Sequence, residues 1–344
     1  MSHKTTLADI ARELKTTPAT VSRALSNHPG ISDKTKESVH QAASKLNYKR
    51  NGVASSLRSG KTHLIGVIIP SAEINFFGSV VHGIESIANR CGYNVLLFQS
   101  NERRDYEAKG LESFLTARVD GILASIAKDT MDYSHFREIK SRGVPIVFFD
   151  RANDDLGIDS VVIDDYKGAF KATEHLISQG YKRIAHISGP QHLKNFYDRL
   201  KGYMGALQAN KREIDLSLIF SGNISIESGR KGAEHFFSMQ EPPDAIFAAE
   251  DFTALGVINE LKARNIQIPE QCGVIGFANE LFGEHITPTL STVDQQTIVM
   301  GKSAIELLVD LIEKNGTAEH MNRRITLEPV LIFRDSSSRN RKDL

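Results

Sequence analysis

The sequence predicts a small all-α head followed by an α/β body built from two parallel sheets. Three observations carry this reading. Residues 1–61 hold eleven Lys/Arg and four Asp/Glu, a net of +7, although the whole 344-residue chain sums to zero. Apolar residues in that basic segment recur at helical spacing, with Ser and Thr between the runs. From about His63 onward, short apolar runs alternate with helical stretches, the pattern of parallel strands covered by helices. The length suggests two or three domains, and 40% apolar with 24% charged residues is an ordinary globular mixture.

In the head, Thr6 is placed to cap a first helix, with Asp9 three residues on, and Leu7, Ile10, Ala11 and Leu14 follow at helical spacing. A tight turn is expected around Lys15 and Thr16. The stretch "TTPATVSRAL" then puts Thr17 at a cap and Pro18 at the first helical position, where the missing N–H costs nothing. Val21, Ala24 and Leu25 make an inward face and leave Pro18, Ala19, Ser22 and Arg23 facing out. Ser32 opens a third helix, with Val39, Ala42, Ala43 and Leu46 inward. Two helices joined by a tight turn and braced by a third make a helix-turn-helix, whose second helix enters the DNA major groove. Small side chains allow close approach there, and an arginine can bind guanine O6 and N7. The same spacing also suits a small helical bundle.

The run from "TLADIARELK" through "TVSRAL" to "NGVASSLRSGKT" resembles, without gaps, the head of the lactose-repressor (LacI/GalR) family of bacterial transcription regulators. The resemblance implies base-reading side chains at Pro18, Ala19 and Arg23, with Thr6, Thr17, Thr20, Ser22 and Asn27 near the DNA backbone or groove edge. Residues 51–61 are too small and polar to hold a helix alone, so composition favours a flexible linker. The resemblance implies instead a hinge helix that folds on the operator, with Leu57 as a minor-groove wedge beside Ala54. Gly52 weakens that helix when DNA is absent.

In the body the expected strands are "LIGVIIP", "NVLLFQ", "GILAS", "PIVFFD", "RIAHIS", "DAIFAA" and "GVIGFA", separated by helices near 77–90, 107–117, 167–178, 200–209 and 252–264. "SVVIDD" lies between the two sets as a crossover. Ligands of open parallel sheets sit beyond the strand C-termini, so two facing sheets imply a cleft between them. "IGVIIPSAEINFF", "GVPIVFFDR", "RLKGYMGAL" and "TPTLSTVDQ" extend the resemblance over almost the whole chain, and through it to the periplasmic sugar-binding fold. It implies three crossings, near Ile163, Leu290 and Asn322. The expected organisation is a head over 1–50, a hinge helix over 51–61 and an effector-binding, dimerising body over 62–344. The body would divide into an N-subdomain of about 62–162 and 292–321 and a C-subdomain of about 163–291 and 322–344.

The resemblance also implies a set of effector-binding positions. Phe76 and Phe77 follow the first strand as aromatic walls, although core packing suits Phe77 equally. Asp150 follows "VFF", Arg199 of "RLKGY" is the ligand-gripping arginine, and Ile224 sits on an apolar wall. Glu250 is expected to face the cleft and Asp251 to cap the next helix. Gln295 and Asn279 complete the set. Ala278 replaces an aspartate that many members use for sugar hydroxyls. Leu193 stands where purine-binding relatives carry arginine, which argues against a purine.

Other classes lack their signatures. There is no G-x-G-x-x-G after a strand, no phosphate-binding loop, no G-x-S-x-G and no H-E-x-x-H. Cys91 and Cys272 stand far apart, no apolar run approaches a membrane span, and the N-terminus has no apolar signal core, so a cytoplasmic chain is expected. A solute-binding protein or a cleft enzyme of the same body fold is the alternative, disfavoured by the basic head. The expectation is a homodimeric repressor with no cofactor or metal. It binds pseudo-palindromic double-stranded operator DNA and answers to a carbohydrate or sugar acid. The helix near Phe77, with Val80, Val81, Ile84 and Ile87, is a candidate for part of the dimer interface or for packing on the sheet.

Overall fold

The computed structural model describes residues 5–48, 60–314 and 322–339. The chain forms two compact units, Met1–Thr62 and His63–Leu344. Ala54 and Leu57, and with them the expected hinge helix, lie outside the described residues.

The first unit contains α1 (Leu7–Glu13), α2 (Pro18–Leu25) and α3 (Asp33–Lys45). Thr6 donates through its amide and hydroxyl to Asp9 Oδ2 at 2.9 and 2.7 Å, which fixes the start of α1. Thr17 Oγ1 accepts from Thr20 N at 3.1 Å, so the cap also orients the first turn of α2. Lys15 takes a left-handed conformation, and Thr16 N donates to Ala11 O at 2.9 Å, closing the turn between α1 and α2. Ile10, Ala11, Val21, Ala24, Val39, Ala42 and Ala43 form the core, with Leu7, Leu14, Leu25 and Leu46 packed around it.

In the second unit a six-stranded parallel sheet has the order β11-β5-β4-β3-β1-β2. Its strands are β1 (Leu64–Ile69), β2 (Asn94–Gln99), β3 (Gly121–Ala124), β4 (Ile146–Phe149), β5 (Asp159–Ile163) and β11 (Arg324–Leu327). A four-stranded parallel sheet follows the order β7-β6-β8-β9, from β6 (Ile184–Ser188), β7 (Ile219–Ser221), β8 (Ala245–Ala248) and β9 (Gly273–Ile275). The connector strands β10 (Thr292–Asp294) and β12 (Val330–Ile332) pair antiparallel. Helices α4 (Asn75–Ala88), α5 (Arg104–Ala117), α6 (Ser134–Ser141) and α11 (Thr297–Glu313) accompany the first sheet. Helices α7 (Asp165–Ser178), α8 (Lys194–Ala209), α9 (Ile226–Phe236) and α10 (Asp251–Ala263) accompany the second.

"SVVIDD" is therefore more than a crossover, because its first residues add β5 to the first sheet, with Phe148 opposite Ser160 and Phe149 opposite Val161. The chain leaves that sheet at Asp164, where the Asp164 carboxylate caps α7. It returns through β10, a few residues after the expected Leu290. The last crossing falls after Leu327 instead of at Asn322, because Arg324–Leu327 pairs with β5 from Ser160 to Ile163.

Helix α4 is not a free apolar face. Val80, Ile84 and Ile87 are buried in the body core and Val81 packs against it. α4 and α11 meet through backbone at two glycines. A Cβ on Gly301 would lie 2.1 Å from Val80 O, and one on Gly83 would lie 2.5 Å from Ile298 O. Gly78 on the same helix has nothing within 4 Å. Gly301→Ala is expected to lose about 1–3 kcal/mol through forced separation of the helices. Gly78→Ala should be neutral or gain up to about 1 kcal/mol, because it removes only backbone freedom. Urea unfolding of both variants checks this, and equal midpoints would show that the two helices are free to move apart.

Candidate functional site

Two surfaces carry chemistry, one in each unit. In the head, Thr6, Thr17, Pro18, Ala19, Arg23 and Asn27 are exposed, and Thr20 and Ser22 are half-buried. Five of these, from Thr17 to Arg23 without Val21 and Ser22, line the outer edge of α2, because its inner edge is held by Val21 and Ala24. Arg23 is exposed on this edge, and its Nε donates back to Ala19 O at 3.4 Å. Asn27 adopts a left-handed conformation just after α2, and His28 N closes back on Arg23 O at 3.0 Å.

In the body, residues from the C-terminal ends of both sheets converge on one cavity. Phe76 and Phe77 open α4 after β1, while Asp150 and Arg151 follow β4. Asn195, Phe196 and Arg199 lie on α8 after β6, Ile224 follows β7, and Glu250 follows β8. Ala278, Glu280 and Gln295 come from the segments after β9 and β10. Convergence at strand C-termini follows from the shared parallel direction of the strands.

Arg199 is 2% exposed. Its Nε donates to Asp165 Oδ1 at 2.8 Å, one terminal nitrogen to Ala249 O at 2.7 Å and the other to Gln295 Oε1 at 3.2 Å. The guanidinium lies 3.7 Å from the centre of the Phe277 ring. Burial pushes the Asp165 carboxyl up to about 7, against the opposing pull of Arg199. Arg151 is held by Glu102 at 2.7 and 3.0 Å and by Ile126 O at 3.2 Å, while its Nε has no hydrogen-bond partner. Asp150, in a left-handed conformation, accepts from Ser125 Oγ at 3.4 Å. Burial raises its carboxyl, and Arg151 and Arg199 oppose that rise.

The carboxylates of the second half do not follow the expected division of labour. Glu250 both lines the cavity and caps α10, accepting from Phe252 N at 2.8 Å and Thr253 N at 3.3 Å. Asp251 is buried behind it and accepts from Glu280 N and Thr292 Oγ1, both at 2.7 Å. The reason is geometric: the extended backbone of Glu250 directs its side chain back over the first turn of α10. Burial, followed by the neighbouring charges of Asp251 and Glu280, pushes Glu250 up to about 8. Asn279 lies outside the lining. Its side chain donates to Asp294 at 2.8 Å and accepts from Arg334 at 2.9 Å, which fastens the connectors.

Arg151, Asn195, Phe196 and Glu280 belong to the lining without having been singled out in the sequence. Asn195 and Phe196 were within reach, standing four and three residues before Arg199 on one helical face. Glu280 gives no such signal, because it acts across the cleft and accepts from Phe76 N at 3.1 Å. His192 Nε2 donates to Lys128 O at 2.7 Å in a second contact across the cleft. Leu193 and Phe196 join Ile126 and Phe148 in one apolar cluster. The cavity is thereby reduced to about 50 Å³. Typical small-molecule sites measure roughly 300–1,000 Å³, so a sugar-sized ligand enters only when the two halves part. A wider groove of about 760 Å³ along α7 and β12 is open to solvent and lacks such converging buried polar groups.

Comparison with known proteins matches each of the two units to a family. Residues 6–51 match the bacterial regulatory proteins of the lacI family, and residues 62–333 match the periplasmic binding proteins and sugar binding domain of the LacI family. Catabolite control protein A of Priestia megaterium is 34% identical over 310 residues, 90% of this chain and 93% of that protein. The solved complex of the transcriptional regulator CelR with cellobiose aligns over 96% of this chain and 99% of its own at 29% identity, with a TM-score of 0.72. The lac repressor dimer bound to operator and the anti-inducer ONPF shares the fold at 24% identity, covering 97% of this chain and 99% of its own, with a TM-score of 0.86.

The half-buried Glu250 makes a pH test possible. Its folded value of about 8 lies above the ordinary 4.5. Between those values the folded protein keeps a proton that the unfolded chain has lost, so stability falls as pH rises through the window. Glu250→Gln keeps the capping oxygen and removes the titration. Thermal unfolding between about pH 5 and pH 9 should therefore show a shallower decline for the variant than for the parent. Parallel curves would mean that Glu250 is ionised in the folded protein throughout.

Proposed function

The chain belongs to the lacI family of bacterial regulatory proteins, and on that premise we propose that it represses a sugar-utilisation operon under control of a carbohydrate-like effector. The observation that carries this reading is α2, a capped helix with small residues and one arginine on its exposed edge. Pro18 and Ala19 cannot donate side-chain hydrogen bonds, so they read groove shape and thymine methyl groups, and Arg23 reads guanine. Thr6, Thr17, Thr20, Ser22 and Asn27 supply contacts to the DNA backbone and groove edge. In this reading Ala54 and Leu57 act in the minor groove, and a homodimer matches a pseudo-palindromic operator. Its place of action is the cytoplasm, and it works by binding, without catalysis. Among the described residues no helix is long and apolar enough to cross a membrane.

The effector site is the body cavity, with Arg199, Asp150 and Glu250 as polar groups, Phe76, Phe77 and Ile224 as apolar walls, and Gln295 steadying Arg199. Asn279 contributes through the connectors. The relative solved with cellobiose supports a saccharide. Control requires that the effector bind the open and closed cleft with unequal affinity, since a ligand indifferent to the two states shifts nothing. Typical coupling of about 1–3 kcal/mol changes operator affinity roughly 5–150-fold.

Selection of bound fragments from random DNA by the full chain should return a pseudo-palindrome. Arg23→Ala should cost about 1–3 kcal/mol at one base position of each half-site and relax specificity there. Equal loss on selected and random DNA would make Arg23 a phosphate contact. Arg199→Lys, which keeps a charge beside Asp165 and loses the planar fork, should weaken release of the operator by an inducing sugar about tenfold or more and leave sugar-free operator affinity within about threefold. Loss of both activities would make Arg199 a structural residue only.

A further inference from the structure

The body cavity holds more carboxyl groups than its cations pair. Arg151 is engaged by Glu102 at 2.7 Å and Arg199 by Asp165 at 2.8 Å. Glu250 and Glu280 line the same cavity, and among the described residues no ion pair reaches either of them. Glu280 gives Oε1 to the Phe76 amide, while Glu250 gives Oε2 to the first turn of α10 and accepts nothing through Oε1 among the described residues. A second observation is independent of the carboxylates. Asn195 is 6% exposed, lines the cavity, and its Oδ1 has no hydrogen-bond partner among the described residues. A buried acceptor without a donor is costly, as is a buried carboxylate without a cation. Both deficits are of one kind: around Glu250, Glu280 and Asn195 the cavity wall offers more acceptors than donors.

We infer that the effector carries an ammonium group seated against Glu250 and Glu280, with Asn195 accepting a further hydrogen bond from the same molecule. The inference rests on the reading of this cavity as the effector site and narrows it to amino sugars and similarly aminated polyols. Ammonium is the matching chemistry because it is all donor, carries the missing charge and is compact enough to meet two carboxylates at once. A sugar acid would bring a further carboxylate to a wall already rich in carboxyl groups. Arg151 Nε, buried 3.8 Å from Asp150 Oδ2 and without a hydrogen-bond partner among the described residues, is left to donate to a ligand hydroxyl. At neutral pH the raised Glu250 carboxyl must give up its proton when the cation arrives, so binding should release protons to the buffer.

Calorimetry on the full chain can test this with three matched series: glucosamine and galactosamine, the parent glucose and galactose, and the corresponding uronates. The amino sugars should bind about tenfold or more tightly than their parents, the worth of one charge-assisted hydrogen bond. Their binding near neutral pH should release protons, seen as a dependence of heat on buffer ionisation enthalpy. In Glu250→Gln, which keeps the capping oxygen, both the preference and the proton release should vanish. Glu280→Gln should reduce the preference, which guards against a folding defect in the first variant. Equal or tighter binding of a parent sugar or a uronate overturns the ammonium while leaving the sugar reading intact. No binding by any member of the three series overturns both.

Discussion

Arg199 is the point at which the separate strands of the body are tied. Its side chain touches the start of α7 through Asp165, the end of β8 through Ala249 O, the connector after β10 through Gln295, and the Phe277 ring beyond β9. These segments are distant in sequence, and one buried guanidinium fixes them together. Burying a charge is expensive, and a buried ion pair is weak grounds for added stability. Its value here is geometric. Removing either partner would strand a charge in the interior, so any arrangement of the connectors that separates Arg199 from Asp165 is disfavoured.

The remaining polar groups of the cleft are arranged around that fixed point. Asp251 is filled from Glu280 N and Thr292 Oγ1, which sets the direction of the segment after β9. Glu280 then reaches across to the Phe76 amide at the start of α4, where the helix dipole favours a carboxylate. The closed cleft thus rests on a few cross-cleft bonds and an apolar cluster around Phe196 and Leu193. Such contacts can be exchanged for ligand contacts at modest cost, as a two-state cleft requires. The α4–α11 pair behaves differently. Its glycines bring backbone against backbone, so the two helices have no slack to exchange.

Much of this was legible in the sequence. Caps and turns are local events, so Thr6 with Asp9, Thr17 with Pro18, and Ser32 marked the helices of the head directly. The long buried strands were visible because parallel strands covered on both faces read as continuous apolar runs. Short strands escaped that signal. β5 reads as a crossover, β7 has only three residues, and β10 to β12 owe their structure to partners more than a few residues away. For the same reason the last crossing was placed at Asn322 instead of after Leu327.

The lining positions Asp150 and Glu250 came from the family resemblance; by itself, the sequence determined the capped helices of the head and the alternating body. Those features follow from period, capping and strand direction, which are written within a few neighbouring residues. Only tertiary structure decided that Glu250 caps α10, that Asp251 is buried behind it, that Asn279 turns to the connectors, and that Glu280 and Asn195 enter the cavity. It also decided that Val80, Ile84 and Ile87 are core. In each case the outcome depends on competition among partners from remote segments for one hydrogen bond or one buried face. A linear pattern states which groups are available and leaves open which of them meet.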